Sequence, residues 1–249
     1  MRLGGVPVLL YHGLAPSAPA GVAPRERKYW IPAKAFDEQL DWIRRGGHRP
    51  RLLREMWAGP AGRDNGGPSV VLTFDDGRAS DFELAFPLLL EADARAEFFV
   101  NPATVGRPGF LSWRQIAEMQ AQGMSFQSHS YDHVDLTPLP RRVVAWQLDE
   151  SKRRLEDRLG SPVEFLAVPY GRLSRRVVEV AAQVGYRAVC TSRSWPALPG
   201  ARLVDRIAIY RHTSPAQFSR LLRGHPLAYA ARTARAALLH WPKRLLVPA

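Results

Sequence analysis

The sequence predicts one α/β domain folded as a single distorted (β/α) barrel with seven strands. Short apolar runs rich in β-branched residues alternate with helix-like segments along the chain. Strands separated by helices pair in parallel, and this number of repeats is typical of a barrel that falls short of eight strands. A chain of 249 residues, of which 46% are hydrophobic, suits a single domain of this kind.

Each predicted element has its own local signal. Strands are expected at residues 7–11, 69–74, 96–100, 124–128, 165–168, 188–191 and 206–210. Helices are expected at residues 35–45, 82–91, 113–122, 140–159, 176–184 and 215–222, and four of them end at a glycine, which favours a helix stop. Because no repeat or long linker is present, we expect residues 1–222 to form the barrel and residues 223–249 a basic helical tail.

Charge and cysteine content exclude several classes of function. The net charge is +12, but the arginines are scattered along the whole chain. There is no zinc-finger spacing and no basic block interleaved with aromatic residues, so the sequence does not predict a nucleic-acid partner. The single cysteine, Cys190, excludes an intrachain disulfide and a cysteine metal cluster. It lies in an apolar stretch and is expected to be a core residue.

The two ends of the chain bear on location. Residues 1–7 lack the regions of a signal peptide, which predicts a cytoplasmic protein. A helix over residues 227–240 would align four apolar residues, Leu227, Ala231, Ala234 and Leu238. Nearby are the basic residues Arg232, Arg235, Lys243 and Arg244 and the apolar Leu239 and Trp241. Such a tail can contact an anionic membrane peripherally; the alternative is an Ala-rich helix packed on the barrel.

Two adjacent carboxylates end the strand at residues 69–74. Val70, Val71 and Leu72 form its apolar core, and Asp75 and Asp76 follow. Neighbouring carboxylates repel each other and lose solvation when buried, so such a pair needs a cation or a proton. A solvated Asp-Gly turn is the alternative. The doublet alone therefore favours chemistry only modestly.

A histidine pair follows another strand. His129 and His133 are spaced i and i+4, and in a helical turn they can converge on one ion. A carboxylate from elsewhere would complete a site with three protein ligands and an open position for water. Together with the carboxylate doublet, this spacing predicts a metal-dependent hydrolase.

The motifs resemble those of one known family. Residues 73–77 (TFDDG), 129–133 (HSYDH) and 168–171 (VPYG) are similar, in order and spacing, to motifs of the NodB-homology polysaccharide deacetylases, carbohydrate esterase family four. The resemblance covers about residues 7–222. Residues 10–13 (LYHG) are similar to the N-terminal motif of the poly-N-acetylglucosamine deacetylase branch.

The resemblance implies a function and a set of roles. It implies removal of acetyl groups from N-acetylated amino sugars of a polysaccharide or glycolipid, with one divalent ion, most often Zn²⁺. The implied metal ligands are Asp76, His129 and His133, and the implied general base is Asp75. The segment Pro169, Tyr170 and Gly171 is expected to contact substrate, with a backbone N–H near Tyr170 stabilising the oxyanion.

Two positions depart from the family pattern. Ala167 stands where an arginine commonly orients the base. Arg206 could partly replace that arginine, although a surface ion pair is the simpler interpretation. The late motif that donates the acid is poorly matched near His212, so the N-terminal resemblance favours His12 as the general acid and His212 is the alternative.

Two rival functions fit the same scaffold. One is a carbohydrate-binding pseudoenzyme, which would not need a base beside a metal ligand. The other is a hydrolase of small amides or cyclic imides. Acetate release from N-acetylated glycans, compared with small amides, separates the three.

Overall fold

The computed structural model describes residues 3–17, 19, 22–24, 26–59 and 67–240, with residues 234–240 described by their backbone alone. The strands in this part are β1 (Val8–Tyr11), β2 (Gly13–Leu14), β3 (Trp30–Ile31), β4 (Arg49–Pro50), β5 (Ser69–Asp75), β6 (Glu97–Val100), β7 (Ser125–Ser128), β8 (Phe165–Ala167), β9 (Ala188–Cys190), β10 (Leu203–Val204) and β11 (Ile207–Ala208).

The helices of the described residues surround the sheet. They are α1 (Ala33–Arg45), α2 (Leu53–Trp57), α3 (Phe86–Glu91), α4 (Trp113–Ala121), α5 (Arg141–Leu159), α6 (Arg175–Val184), α7 (Pro215–Leu222) and α8 (Pro226–His240). A π-helical turn, Asp81–Ala85, leads into α3. Every predicted helix is present. The structure adds α2, which was not predicted because a helix of five residues is too short to show a periodic pattern.

The sheet closes through one interrupted strand. Its order is β10-β9-β8-β7-β6-β5-β1-β11, and all neighbours are parallel. Only Asp205 and Arg206 separate β10 from β11. The strands β10 and β11 both run parallel to the other strands of the sheet. They are therefore two halves of one strand, pairing with β9 on one side and with β1 on the other. Counted in this way, the ring has the seven strands that the sequence predicted, and it forms a distorted barrel.

Alternation along the strands separates two layers of core. Val8, Val71, Phe99 and Cys190 belong to the cluster inside the barrel. The residues between them in sequence, such as Leu72 and Phe98, pack in the larger cluster under the helices. Because side chains alternate across a strand, the last inward position of each strand lies at the carboxyl end of the barrel.

The amino end of the barrel is closed by α2. Leu53 and Met56 pack in the inner cluster, and the Leu53 N–H donates to Glu97 Oε1 at 2.8 Å. Glu97 is fully buried at the start of β6. Its carboxylate caps the N-terminus of α2, where the first N–H groups of a helix have no partner within the helix. Polar chemistry is thus left to the opposite, carboxyl end.

The beginning of the tail packs on the barrel. Tyr229 of α8 is fully buried in the outer core, and its hydroxyl donates to the Leu221 carbonyl at 2.7 Å. Leu227, which the sequence placed on the apolar face, is 72% exposed. The boundary predicted after residue 222 falls between α7 and α8 and stays a prediction.

The remaining tail residues bear on the membrane expectation. The side chains expected to contact lipid that lie outside the described part are Ala234, Arg235, Leu238, Leu239, Trp241, Lys243 and Arg244. Membrane contact and cytoplasmic location therefore stay predictions. Within the described residues, no helix combines the length and hydrophobicity needed to cross a bilayer.

The buried position of Tyr229 leads to a stability prediction. Tyr229→Ala should lower the free energy of unfolding by about 3–5 kcal/mol, because a large core side chain is lost and a cavity remains. Urea denaturation followed by circular dichroism measures this. Leu227→Ala, two residues earlier in the same helix and exposed, is the control and should change stability by about 0.5 kcal/mol or less. Equal effects of the two substitutions would contradict the packing of α8 described above.

Candidate metal centre and active site

The carboxylate doublet is split by the end of β5. Asp75 is the last strand residue and lies on the inner face, in register with Phe99. Asp76 then leaves the extended conformation with φ of 79°. Gly77 follows with φ of 64°, and a Cβ there would lie 2.8 Å from Val100 Cγ1, so only glycine fits. The two carboxylates therefore point to different partners.

Arg206 holds Asp75. Its two terminal nitrogens donate to Asp75 Oδ1 at 2.7 Å and Oδ2 at 2.8 Å, a bidentate pair. Burial raises the pKa of Asp75, but the Arg206 guanidinium, together with the nearby His129 and His12, holds this pKa below its usual range. The interpretation of Arg206 as a surface ion pair is wrong, because the residue is only 1% exposed.

The interruption of the strand aims Arg206 into the barrel. Arg206 lies between β10 and β11, its Nε donates to the Thr191 carbonyl at 3.1 Å, and its guanidinium lies 5.0 Å from the centre of the Phe99 ring. Arg206 therefore reaches the base from a different strand than β8, where Ala167 occupies the expected arginine position. Arg206 thus fixes the Asp75 carboxylate, which Ala167 cannot do.

Asp76, His129 and His133 meet at the carboxyl edge. Asp76 Oδ1 lies 3.5 Å from His129 Nε2 and 3.3 Å from His133 Nε2, and the three ligand atoms lie within 4.8 Å of one another. Ligands 2.0–2.2 Å from a tetrahedral zinc ion are separated from each other by roughly 3.3–3.6 Å. Asp76 Oδ1 is buried and accepts no hydrogen bond from the described residues. The set fits a divalent cation.

The tautomer of His129 also suits a metal. His129 Nδ1 lies 2.8 Å from the Ala167 carbonyl oxygen, which can only accept, so Nδ1 carries the hydrogen. In the neutral ring Nε2 then directs a lone pair toward the Asp76 carboxylate. Two facing acceptors require a cation between them or a proton on the ring. Such support from a backbone carbonyl is common for metal-binding histidines.

Two further polar residues, which were not predicted from the sequence, hold these ligands in place by hydrogen bonds. Arg78 donates to Asp76 Oδ2 at 2.9 Å, which leaves Oδ1 turned toward the histidines. Asn101, at the end of β6, donates to the carbonyls of His129 and Ser130. The sequence could have indicated Arg78 and Asn101 only as polar residues that follow a strand. Such residues are common in loops, so this feature alone does not predict a role in the site.

Backbone strain is concentrated here. Of the five non-glycine residues with positive φ in the described part, four lie at this edge: Asp76, Ser130, His133 and Tyr170. Such conformations cost of order 1–3 kcal/mol each and persist where the surroundings enforce them. The strain marks the edge as functional.

The Pro169–Gly171 turn lies beside the metal ligands. The Tyr170 ring contacts the His133 ring edge-on at 4.7 Å and is 59% exposed. Gly171 N–H donates to the Val168 carbonyl, and Pro169 has no N–H. The Tyr170 N–H has no acceptor among the described residues, so it is the donor this turn offers to a ligand.

The two candidate acids lie in different surroundings. The charges of Asp75 and Asp76 act on His12, although burial outweighs them and lowers its pKa. Its Nδ1 is buried and has no partner in the described part of the chain, and its ring packs against the Tyr29 ring, with the ring centres 4.4 Å apart. His212 is exposed in the loop after β11 and stacks on Tyr210.

Comparisons with known proteins agree with this site. A family model described as polysaccharide deacetylase matches residues 62–189. The chitooligosaccharide deacetylase of Sinorhizobium fredii is 36% identical over 138 residues, which are 52% of this chain and 61% of that protein. The chain thus matches less than two thirds of that relative.

Two solved structures share the fold. The Streptococcus pyogenes deacetylase PplD in complex with acetate superposes with a TM-score of 0.79 at 26% identity, covering 91% of this chain and all (100%) of that chain. IcaB from Ammonifex degensii superposes with a TM-score of 0.77 at 29% identity, covering 92% and 98%.

The matched segment contains Asp75, Asp76, both histidines and the Pro169–Gly171 turn, whereas His12 and Arg206 lie outside it. The resemblance read from the sequence motifs is thereby confirmed. This chain belongs to the polysaccharide deacetylase family, whose members hydrolyse carbon–nitrogen bonds other than peptide bonds.

Proposed function

We propose that this chain is a zinc-dependent hydrolase that removes acetyl groups from N-acetylated amino sugars of a glycan. The observation that carries the proposal is the division between the two carboxylates. Asp76 Oδ1 lies 3.5 and 3.3 Å from the Nε2 atoms of two histidines, the separation expected between ligands of one ion, whereas Arg206 occupies both oxygens of Asp75. One carboxylate is thus available to a metal and the other is held beside it as a base.

The metal would be held by Asp76 Oδ1 and the Nε2 atoms of His129 and His133. When bound, a divalent ion polarises the acetamide carbonyl and lowers the pKa of water. Three protein ligands of this type with an open position are typical of catalytic zinc.

Asp75 receives the proton of the attacking water. Its carboxylate is ionised at neutral pH because Arg206 lowers its pKa, and the bidentate contact fixes the direction of its oxygens. The water oxygen adds to the acetamide carbon while Asp75 accepts the proton. The Tyr170 N–H donates to the oxygen on which negative charge develops.

His12, in its protonated imidazolium form, gives a proton to the leaving nitrogen. As the C–N bond breaks, the electron pair goes to nitrogen, which takes a proton from His12 and departs as the amine of the sugar. The acetyl group leaves as acetic acid, which releases its remaining proton to the solvent and becomes acetate. Asp75 has gained one proton and His12 has lost one, so exchange with water restores both groups.

An N-acetylated glycan is favoured as the substrate by the named relatives. One is a chitooligosaccharide deacetylase, and the PplD structure holds acetate, which is the second product of this reaction. A pseudoenzyme that only binds carbohydrate is less well supported, because binding requires no buried Asp75–Arg206 pair beside a metal site.

The proposal is tested by acetate release. Chelator-treated protein reloaded with Zn²⁺ should release acetate from at least one of a panel of N-acetylated glycans, and faster than from small amides. Glycan binding without acetate release would indicate the pseudoenzyme. Faster turnover of small amides or cyclic imides would indicate the other hydrolase.

The split of the doublet predicts different defects for two matched substitutions. Asp75→Asn should keep zinc affinity close to that of the wild type and lose about 10²–10⁴-fold in turnover, because the base is not a ligand. Asp76→Asn should lose zinc affinity as well. Zinc titration followed by calorimetry, together with acetate release, measures both. Equal loss of zinc by the two variants would show that the roles are assigned wrongly.

Arg206 is predicted to act through Asp75. Arg206→Met should lower turnover by about 10–100-fold, the usual effect of removing a group that orients a catalytic residue. It should also destabilise the fold by about 3–5 kcal/mol, because Asp75 is left as an unpaired buried charge. Arg206→Lys keeps the charge without the bidentate contact and should be intermediate. Rates are compared below the melting temperature of each variant; wild-type turnover in Arg206→Met would exclude the role.

The acid assignment predicts unequal effects of the two histidines. His12→Ala should lower turnover of N-acetylated glycans by about 10²–10⁴-fold with the zinc content unchanged. His212→Ala is the matched variant and should have little effect. The reverse result would transfer the acid role to His212.

A further inference from the structure

His12 needs a support that hydrogen bonds do not supply. It follows β1 at the carboxyl edge, and its Nδ1 is buried without a partner in the described residues. A ring held by no bond at one nitrogen can rotate about its side-chain torsions unless a neighbour packs on its face. The neighbour is Tyr29, whose ring centre lies 4.4 Å from that of His12 at an interplanar angle of 33°.

Tyr29 reaches His12 from a separate segment of chain. It ends the 3₁₀ turn Arg27–Tyr29, in the loop between β2 and β3. The Lys28 carbonyl accepts from the Arg211 N–H at 2.8 Å, and the Trp30 carbonyl accepts from Arg211 Nη1 at 3.0 Å. These two hydrogen bonds hold the Arg27–Tyr29 turn against the loop that follows β11.

The Tyr29 ring is itself held by further contacts. Its centre lies 5.4 Å from that of Tyr210, and the Lys28 ammonium lies 5.0 Å from the Tyr29 ring centre and 5.1 Å from the Tyr210 ring centre. A cation over two aromatic faces stabilises their arrangement. Burial and the neighbouring Tyr210 raise the pKa of Tyr29 to about 12, so the phenol stays neutral.

We propose that Tyr29 is a positioning residue for the general acid, and that its ring fixes the His12 imidazole in the orientation that delivers a proton to the leaving nitrogen. This inference rests on the proposed function. The reaction step is the one described above: the C–N bond breaks, its electron pair goes to nitrogen, and the proton comes from His12. Tyr29 exchanges no proton and forms no bond.

The test compares substrates that do and do not need an acid. An N-acetylated glucosamine oligomer releases a basic amine, which must be protonated, whereas 4-nitrophenyl acetate releases a phenolate that leaves without a proton. Tyr29→Ala should lower kcat on the oligomer by about 10²-fold, the scale of a misplaced catalytic group. KM, zinc content and the rate on 4-nitrophenyl acetate should change little.

Conservative variants distinguish positioning from folding. Tyr29→Phe keeps the ring and should retain most of the activity, whereas Tyr29→Leu keeps bulk without a flat face and should resemble Tyr29→Ala. Circular dichroism checks the fold of each variant. Trp42→Ala removes a partly exposed aromatic residue from α1 and is the control for loss of an aromatic side chain elsewhere.

A double-mutant cycle with His12→Ala completes the test. If Tyr29 acts through His12, then the double variant should be no slower than His12→Ala alone. Losses that multiply, a change in KM alone, or an equal loss on 4-nitrophenyl acetate would overturn the inference. A large loss in His12→Ala with wild-type kcat in Tyr29→Ala would overturn this inference only. Wild-type kcat in His12→Ala would overturn the acid assignment and the inference together.

Discussion

The two carboxylates at the end of β5 can be buried together only because each has its own counter-charge. Arg206 compensates Asp75 inside the barrel, and Asp76 meets Arg78 on one oxygen and the two histidines on the other. The change of backbone conformation at Asp76 separates these two environments over a single residue. Without it, both carboxylates would compete for one cation, and neither would be reserved as a base.

Closure of the barrel and chemistry depend on the same segment. A continuous strand from residue 203 to residue 208 would complete the ladder between β9 and β1. The structure instead interrupts pairing at Asp205 and Arg206, and the Arg206 side chain crosses the interior to Asp75. Some strand pairing is thus given up where the site needs a buried cation, and the Arg206 hydrogen bond to the Thr191 carbonyl offsets part of the loss.

The sequence predicted the features that depend on local pattern. The strands were visible as β-branched runs, and the helices as periodic segments with glycine stops. Asp75, Asp76, His129 and His133 stand in short motifs, so their convergence followed from parallel strands having a common carboxyl edge.

Long-range contacts were not predictable in the same way. Arg206 is 131 residues from Asp75 in the sequence, and the chain contains many arginines, so its burial could be seen only in the fold. Tyr29 lies in a Pro- and Ala-rich loop without periodicity, and Tyr229 lies in a tail whose apolar face the sequence assigned to other residues. For Arg206 and Tyr29, a single side chain is placed by a contact between distant segments.

The most direct test of the account is the position of a metal in the protein. A crystal soaked in zinc and measured at the zinc absorption edge should show an anomalous peak within about 2.0–2.2 Å of Asp76 Oδ1 and of Nε2 of His129 and His133. Asp75 should remain paired with Arg206 and should not be a ligand. A peak coordinated by Asp75, or one located away from the two histidines, would contradict the division of roles on which the account rests.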